Sequence, residues 1–296
     1  MRVLVCVKRV PAPGAKINIT DDGQAVDATN LGHTRSPHEE CALELAVQLV
    51  EAHGGESHVL TLGVAEADEQ CRWAASIGIT KATLVDVGTM GWDPQRTATA
   101  LIEAIRSIEE ADGTFDVIIF GNESADTGGF QVGIRTARAL DRPMVNAIKG
   151  VSISEDGTVL EAQREIDSGM EVYHLPLPCA IGVKEGITWP RYPTMRGRLA
   201  SKKLAVDVTG SEAAPGGQTM VRLNRPEEQV SETIILGEGV AAAPAVVELL
   251  KELGLWSWVC SLSSNMTEVR WLMRRSKRLR SPARSLISWV STSKRC

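Results

Sequence analysis

Between residues 1 and 140 a short apolar run and an amphipathic helical pattern alternate four times, and nothing else in the chain narrows its fold so far. Strand patterns cover residues 2–8, His58–Val64, Thr83–Val87 and Asp116–Phe120. The first helix opens at Ser36-Pro37 with a Ser N-cap, Pro at the first helical position and Glu39 placed for a capping box. Its apolar positions Leu43, Ala46, Val47 and Val50 keep helical spacing until Gly54-Gly55. A second helix is expected from Ala67 to Ile77, closed by Gly78, and a third from Asp93-Pro94 through Ile108. The fourth pattern ends at Asp141-Arg142-Pro143. This alternation predicts a doubly wound, mostly parallel α/β sheet of Rossmann-like type with helices on both faces. Ligands of such sheets bind outside the carboxyl ends of the strands, near a switch in strand order. Three loops are therefore expected to converge: the one after Val7, the one before Pro37, and Asp126–Gly133.

The last of these loops lies in Gly121–Leu140, which reads GNESADTGGFQVGIRTARAL. A strand, a glycine turn and a helix start in that order present bare N–H groups at a positive helix end, where a phosphate or other anion would sit. An ordinary βα turn is the alternative, because short glycine motifs have little specificity. Asp126 would repel a phosphate unless it caps the helix or binds ribose hydroxyls.

After Pro143 the pattern changes. Val159–Ile166 and Met170–Leu175 flank Asp167-Ser168-Gly169 as a β-hairpin, and Cys179–Val183 is a further strand. A smaller hairpin is expected over Lys16–Gly23. Residues 188–198 read as an ordered loop presenting Trp189, Tyr192, Met195 and three arginines, the composition of a partner-binding surface. The nucleotide-binding domain is placed at residues 1–205, and 206–255 are expected to form an extended arm and a helix that pack on a partner subunit. Gly237-Glu238-Gly239 after an apolar run imitates a dinucleotide fingerprint. No βαβ unit follows and no acid stands about 20 residues on, so it is rejected as an NAD site.

With 43% hydrophobic and only 4% aromatic residues, the core is aliphatic. No uninterrupted apolar run reaches the length of a membrane span, and the N-terminus lacks the features of a signal peptide. The six cysteines show no CxxC spacing, which argues against metal and disulfide frameworks and suits the cytoplasm. Charge is uneven. From Trp256 onward nine Lys or Arg face one Glu, for +8, which leaves −13 on residues 1–255 and no case for nucleic-acid binding. Four of the seven tryptophans and ten serines crowd the same 41 residues. That composition reads better as out-of-frame translation, or a disordered tail, than as a basic arm for membranes or partners. There is no GxSxG, HExxH or GxxxxGKS/T, and the five histidines stand at no ligand spacing; His53 and His58 read as surface residues. A nucleotide-holding fold without catalytic groups points to binding, or to chemistry carried by a cofactor, rather than to an enzyme.

The chain resembles the β subunit of electron transfer flavoproteins over nearly all of residues 1–255. The likeness rests on Val3–Val10, the Ser36-Pro37 helix start, the Asp126–Gly133 turn, Arg164–Glu171 leading to Pro178, and Pro190-Arg191-Tyr192 with Ser201-Lys202-Lys203. The resemblance implies a heterodimer whose α subunit holds most of the FAD, while this chain binds AMP structurally. By position, the AMP contacts would be Cys6, Ser36, Pro37, His38, Glu39, Leu62, Asp126, Thr127, Gly128, Gly129, Phe130, Gln131, Val132, Gly133, Thr136 and Ala137. Arg191, Tyr192, Pro193, Thr194, Met195 and Arg196 match the family's recognition loop for dehydrogenases, with Met195 as the apolar anchor. The implied role is a shuttle from acyl-CoA and related dehydrogenases to a membrane quinone oxidoreductase. Some positions depart from the family. Pro13 and His38 stand where aromatics near the flavin are expected, and Ser168 replaces an acid or glycine. Electron-bifurcating relatives hold a second FAD with paired acids and a proline that this turn lacks, which favours AMP. Family chains usually end shortly after the Glu248–Leu253 helix. A stand-alone nucleotide-binding stress or adenylating protein is the rival from another class.

Overall fold

The computed structural model describes residues 1–89, 91–226 and 234–254. The chain divides into two units, Met1–Arg225 and Pro226–Cys296. In the first, β1 (Arg2–Val7), β2 (Val10–Pro11), β3 (His33–Thr34), α1 (Pro37–His53), β4 (Glu56–Gly63), α2 (Asp68–Ile77), β5 (Lys81–Asp86), α3 (Pro94–Asp112), β6 (Val117–Gly121) and α4 (Val132–Ala139) carry the alternation. They are followed by β7 (Met144–Ile153), β8 (Val159–Ile166), β9 (Gly169–Pro176), β10 (Cys179–Val183), α5 (Met195–Ser201) and β11 (Val206–Thr209). Within the second unit the described residues hold α6 (Ala243–Glu252), with Pro244 in its first turn. The segment from 256 to 296, expected to be out of frame or disordered, lies outside the described residues.

The nine-stranded sheet runs β11-β5-β4-β1-β6-β10-β7-β8-β9. It is parallel from β11 to β7, and β7-β8-β9 close it as an antiparallel meander. The chain winds outward from β1 through β4 to β5, then returns through α3 to place β6 on the other side of β1. The switch in direction therefore falls at the β1–β6 pair, where such sheets bind ligands. The doubly wound architecture expected from the alternation is the one observed.

Alternation along β1 builds both layers at once. Val3, Val5 and Val7 join the core under α1 and α2, whereas Leu4 and Cys6 join the core with Leu101, Ile105, Phe115 and Ala137. The helix starts follow their caps. Ser36 Oγ accepts from Glu39 N–H while the Glu39 carboxyl accepts from Ser36 N–H, and Asp93 accepts from the N–H groups of Gln95 and Arg96. The expected small hairpin survives as one antiparallel bridge, Ile19 with Val26.

Besides the two-residue strands β2 and β3, three elements escape the sequence pattern. Strand β7 hides because Ala147 is left-handed at φ 63° and the register shifts between Ile148 and Gly150, which breaks the two-residue period. Helix α5 occupies part of the expected loop; Thr194 caps it, and Gly197 packs so closely on Ser76 that a Cβ would overlap the Ser76 carbonyl. Strand β11 is taken from the segment expected to be an arm and pairs in parallel with β5 at the sheet edge. One histidine also departs from expectation. His53 is exposed as expected, but His58 is buried, with Nε2 2.8 Å from Thr83 Oγ1 and its ring edge-on to Phe115. Burial, then the Lys81 and Arg2 charges, push its pKa down to about 4, so it is a neutral core residue.

Candidate functional site

The three loops singled out by the alternation meet at the carboxyl ends of β1 and β6. Lys8, directly after β1, joins them. Its backbone N–H donates to Glu39 Oε1 at 2.7 Å, and its ammonium reaches both Asp126 carboxylate oxygens at 2.7 and 2.9 Å. Glu39 spends its other oxygen on the Ser36 N–H at 2.7 Å. One carboxyl thus fixes the loop after β1 and the start of α1, while one lysine fixes both to the turn after β6. The β6 end adds steric closeness: a Cβ at Gly121 would stand 2.9 Å from Glu39 Cγ and 3.3 Å from His38 Cβ.

Electrostatics at this corner are set by burial. Glu39 is 5% exposed, and desolvation, only partly offset by the Ser36 and Lys8 N–H groups, raises its pKa to about 7. Burial and the Glu39 charge push the Cys6 thiol up, so Cys6 is an inert wall residue. For Asp126, burial acts upward but is outweighed by the Lys8 charge and by hydrogen bonds from Lys8, Ser124 and Thr127, and its pKa ends below the ordinary carboxylate value. Asp126 is therefore ionised and already neutralised, which removes much of its repulsion toward an incoming anion.

The turn itself offers backbone. Gly128 is left-handed at φ 56° with open space where a Cβ would stand, and Phe130 shares the left-handed region at φ 52°. A Cβ on Gly129 would meet nothing nearer than Pro94 Cγ at 3.9 Å. Gln131 then precedes helix α4 without a side-chain cap on its first N–H groups, so donors and the positive helix end face the turn. Gly133 serves packing instead, since its missing Cβ admits Met144 Cε and the Phe120 ring, each 3.0 Å from where the Cβ would be.

Of the expected contacts, Cys6, Ser36, Glu39 and Asp126 converge through Lys8, and Thr127–Val132 continue the same rim. His38 is held by its Nδ1, which accepts from the Glu185 N–H at 2.8 Å. Leu62 packs on the core beside β1, and Thr136 and Ala137 are buried under the turn, with the Thr136 hydroxyl lacking a partner. Lys8 is the residue that sequence reasoning passed over; its one signal was the Lys8-Arg9 pair of bases that ends the first apolar run.

The 191–196 segment is anchored elsewhere. Arg191 grips α1 through Glu44 at 2.8 and 3.0 Å and Glu51 at 2.7 and 2.9 Å, and these partners raise its pKa further. Glu44 is buried, so this arginine is a structural clamp on α1. Beside the exposed Arg196 and Arg198, the clamp leaves three large apolar side chains outside: Trp189, Tyr192 and Met195 are 90%, 92% and 75% exposed.

Known proteins share much of this sequence. The family model described as electron transfer flavoprotein domain matches residues 25–227, more than half of the chain. The electron transfer flavoprotein subunit beta of Syntrophomonas wolfei is 32% identical over 252 residues, covering 85% of this chain and 96% of that protein. Its counterpart in Bacillus subtilis is 30% identical over 224 residues, covering 73% of this chain and 85% of that protein. The protein FixA of Rhizobium meliloti is 31% identical over 201 residues, 67% of each chain. On these matches, and with the mostly parallel sheet that accompanies them, the chain belongs to the electron transfer flavoprotein family, on the side of its beta subunits.

Proposed function

We propose that this chain is one half of a two-subunit electron carrier and that the β1–β6 corner holds AMP as a structural nucleotide. The observation that carries this reading is the Lys8 bridge, which draws the loop after β1, the start of α1 and the turn after β6 into one rim. Neutralised Asp126 and the uncapped start of α4 suit an anion of low charge bound by backbone N–H groups. Asp126 retains acceptor capacity for ribose hydroxyls.

FAD, held mostly by an alpha subunit, supplies the redox chemistry when bound. The residues of this chain bind, orient and shield. Donors would be acyl-CoA and related dehydrogenases, docking on the exposed face around Met195, and the acceptor a membrane quinone oxidoreductase. No described helix is long and apolar enough to cross a membrane. The cytoplasm as its compartment rests on the scattered cysteines, of which, among the described residues, Cys6, Cys41, Cys71 and Cys179 are free and buried. The partner-packing arm would begin beyond β11. Nucleotide bound in each subunit stabilises the pair by linkage.

The test is to co-purify the chain with its alpha subunit, denature the complex and identify the nucleotides released. One AMP and one FAD per pair are expected. Two FAD would replace AMP by a second redox flavin, as in a bifurcating protein, and a flavin-free monomer would overturn the carrier reading.

A further inference from the structure

Beyond β11 the chain does not leave the fold at once. Ser211 Oγ donates to Glu103 of α3, the Ala213 carbonyl accepts from Arg96 Nε at 2.7 Å, and Gly216 N–H donates to Asp93 Oδ2 at 2.8 Å. Asp93 is the same residue whose Oδ1 caps α3. The fit is close enough that a Cβ on Gly216 would overlap the Asp93 carboxylate. Arg96 is held over the Trp92 ring at 3.6 Å, so the helix side of this clasp is itself braced. Four exposed residues, Gly217 to Met220, follow. The chain is then clasped a second time, on the small hairpin. The Val221 carbonyl accepts from Gln24 Nε2 at 3.1 Å, Leu223 N–H donates to the Gly23 carbonyl at 2.9 Å, and Arg225 donates to Asn18 Oδ1 at 3.0 Å. The Arg222 side chain lies against Gly23, where a Cβ would meet its Nε at 2.8 Å.

Each clasp adjoins one of the loops of the site. Pro94, next to Asp93, is the nearest neighbour of the Gly129 position in the glycine turn. The hairpin belongs to the excursion between β2 and β3, which leaves the sheet just after Lys8. A segment pinned to α3's start and to that hairpin therefore ties the two loops that bound the β1–β6 corner.

We propose that residues 213–225 form a strap across the nucleotide site, with Asp93 and Gln24 as its positioning residues, and that release of bound nucleotide requires one clasp to open. The proposal rests on the nucleotide reading above. It adds that the strap sets the lifetime of the bound state, because opening must break hydrogen bonds that binding itself does not use.

The test uses the full chain in complex with its alpha subunit, loaded with a fluorescent AMP analogue and chased with excess AMP. Gln24→Ala with Arg222→Ala removes contacts of the hairpin clasp at exposed positions; Gly216→Val disrupts the helix clasp. Each variant should release the analogue about tenfold faster than the parent at equal stoichiometry, as expected for losing one or two modest hydrogen bonds. Unchanged release in both variants, with saturable binding intact, would overturn the strap and leave the nucleotide site standing. No saturable binding by the parent would overturn the site and the strap together.

Discussion

Replacing Glu39 by glutamine changes one atom and tests the whole corner. The carboxyl accepts two backbone N–H groups, from Ser36 on Oε2 and from Lys8 on Oε1, each at 2.7 Å. A glutamine amide offers one acceptor, so one of those N–H groups would face an NH2 in a site where Glu39 is only 5% exposed. Leaving a buried donor unsatisfied costs about 1–3 kcal/mol. For a unit of this size, about 2 kcal/mol corresponds to roughly 4–8 °C in Tm. The pH dependence sharpens the test. Glu39 has a folded-state pKa raised to about 7, against an ordinary value of 4.5. A raised carboxyl pKa means the folded state binds the proton more tightly. Its stabilising contribution is fully present below about 4.5 and is lost as pH rises through about 7, in total about 3 kcal/mol. Glutamine does not titrate. The stability of the parent relative to Glu39→Gln should therefore fall by about 2–3 kcal/mol between pH 5 and pH 8, enough to cancel or reverse a cost of about 2 kcal/mol at pH 5. Urea unfolding of both proteins at about pH 5, 6, 7 and 8 measures this, and other titrating groups cancel in the difference. A gap constant with pH would refute the claim that burial dominates Glu39.

The two glycines of the turn should separate binding from folding. Gly129→Val, with open space around the Cβ, is expected to leave Tm nearly unchanged and to lower AMP occupancy, whereas Gly133→Val should lower Tm through its clash with Met144 and Phe120, by about 1–3 kcal/mol of stability; the reverse pattern would place the cradle wrongly. Arg191→Ala leaves Glu44 buried beside nothing positive and should cost about 2 kcal/mol in urea unfolding, discounted because Arg191 is itself 37% exposed. Met195→Ala, at a side chain that packs on little, should stay within about 0.5 kcal/mol of the parent yet slow electron transfer from a dehydrogenase, read as a raised KM for the carrier. Equal kinetics for Met195→Ala would remove that residue as an anchor.

Much of the site was legible because its parts are announced locally. Ser36, Pro37 and Glu39 declare a helix start by capping chemistry alone, and Asp93-Pro94 does the same for α3. The strand periods of Val3–Val7 and Asp116–Phe120 declare buried strands, and helical stretches between them force parallel pairing. From these the convergence of three loops follows without any knowledge of contacts. Strand β7 was not legible, because a left-handed Ala147 and a bulge destroy the period that marks a strand. Nor was β11, where four residues of mixed character become a strand only because β5 offers an open edge.

The sequence by itself thus determined the main strands and helices of residues 1–140, the fold class and the end of the sheet where a ligand would bind, since helix caps and apolar periods act over a few residues. Only the tertiary structure decided which charges meet. Lys8 and Asp126 are 118 residues apart in the chain, and Arg191 and Glu44 are 147 apart. It also decided that His58 is a core residue and that the segment after β11 is clasped twice. These outcomes depend on burial and on encounters between distant side chains, and neither leaves a local pattern to read.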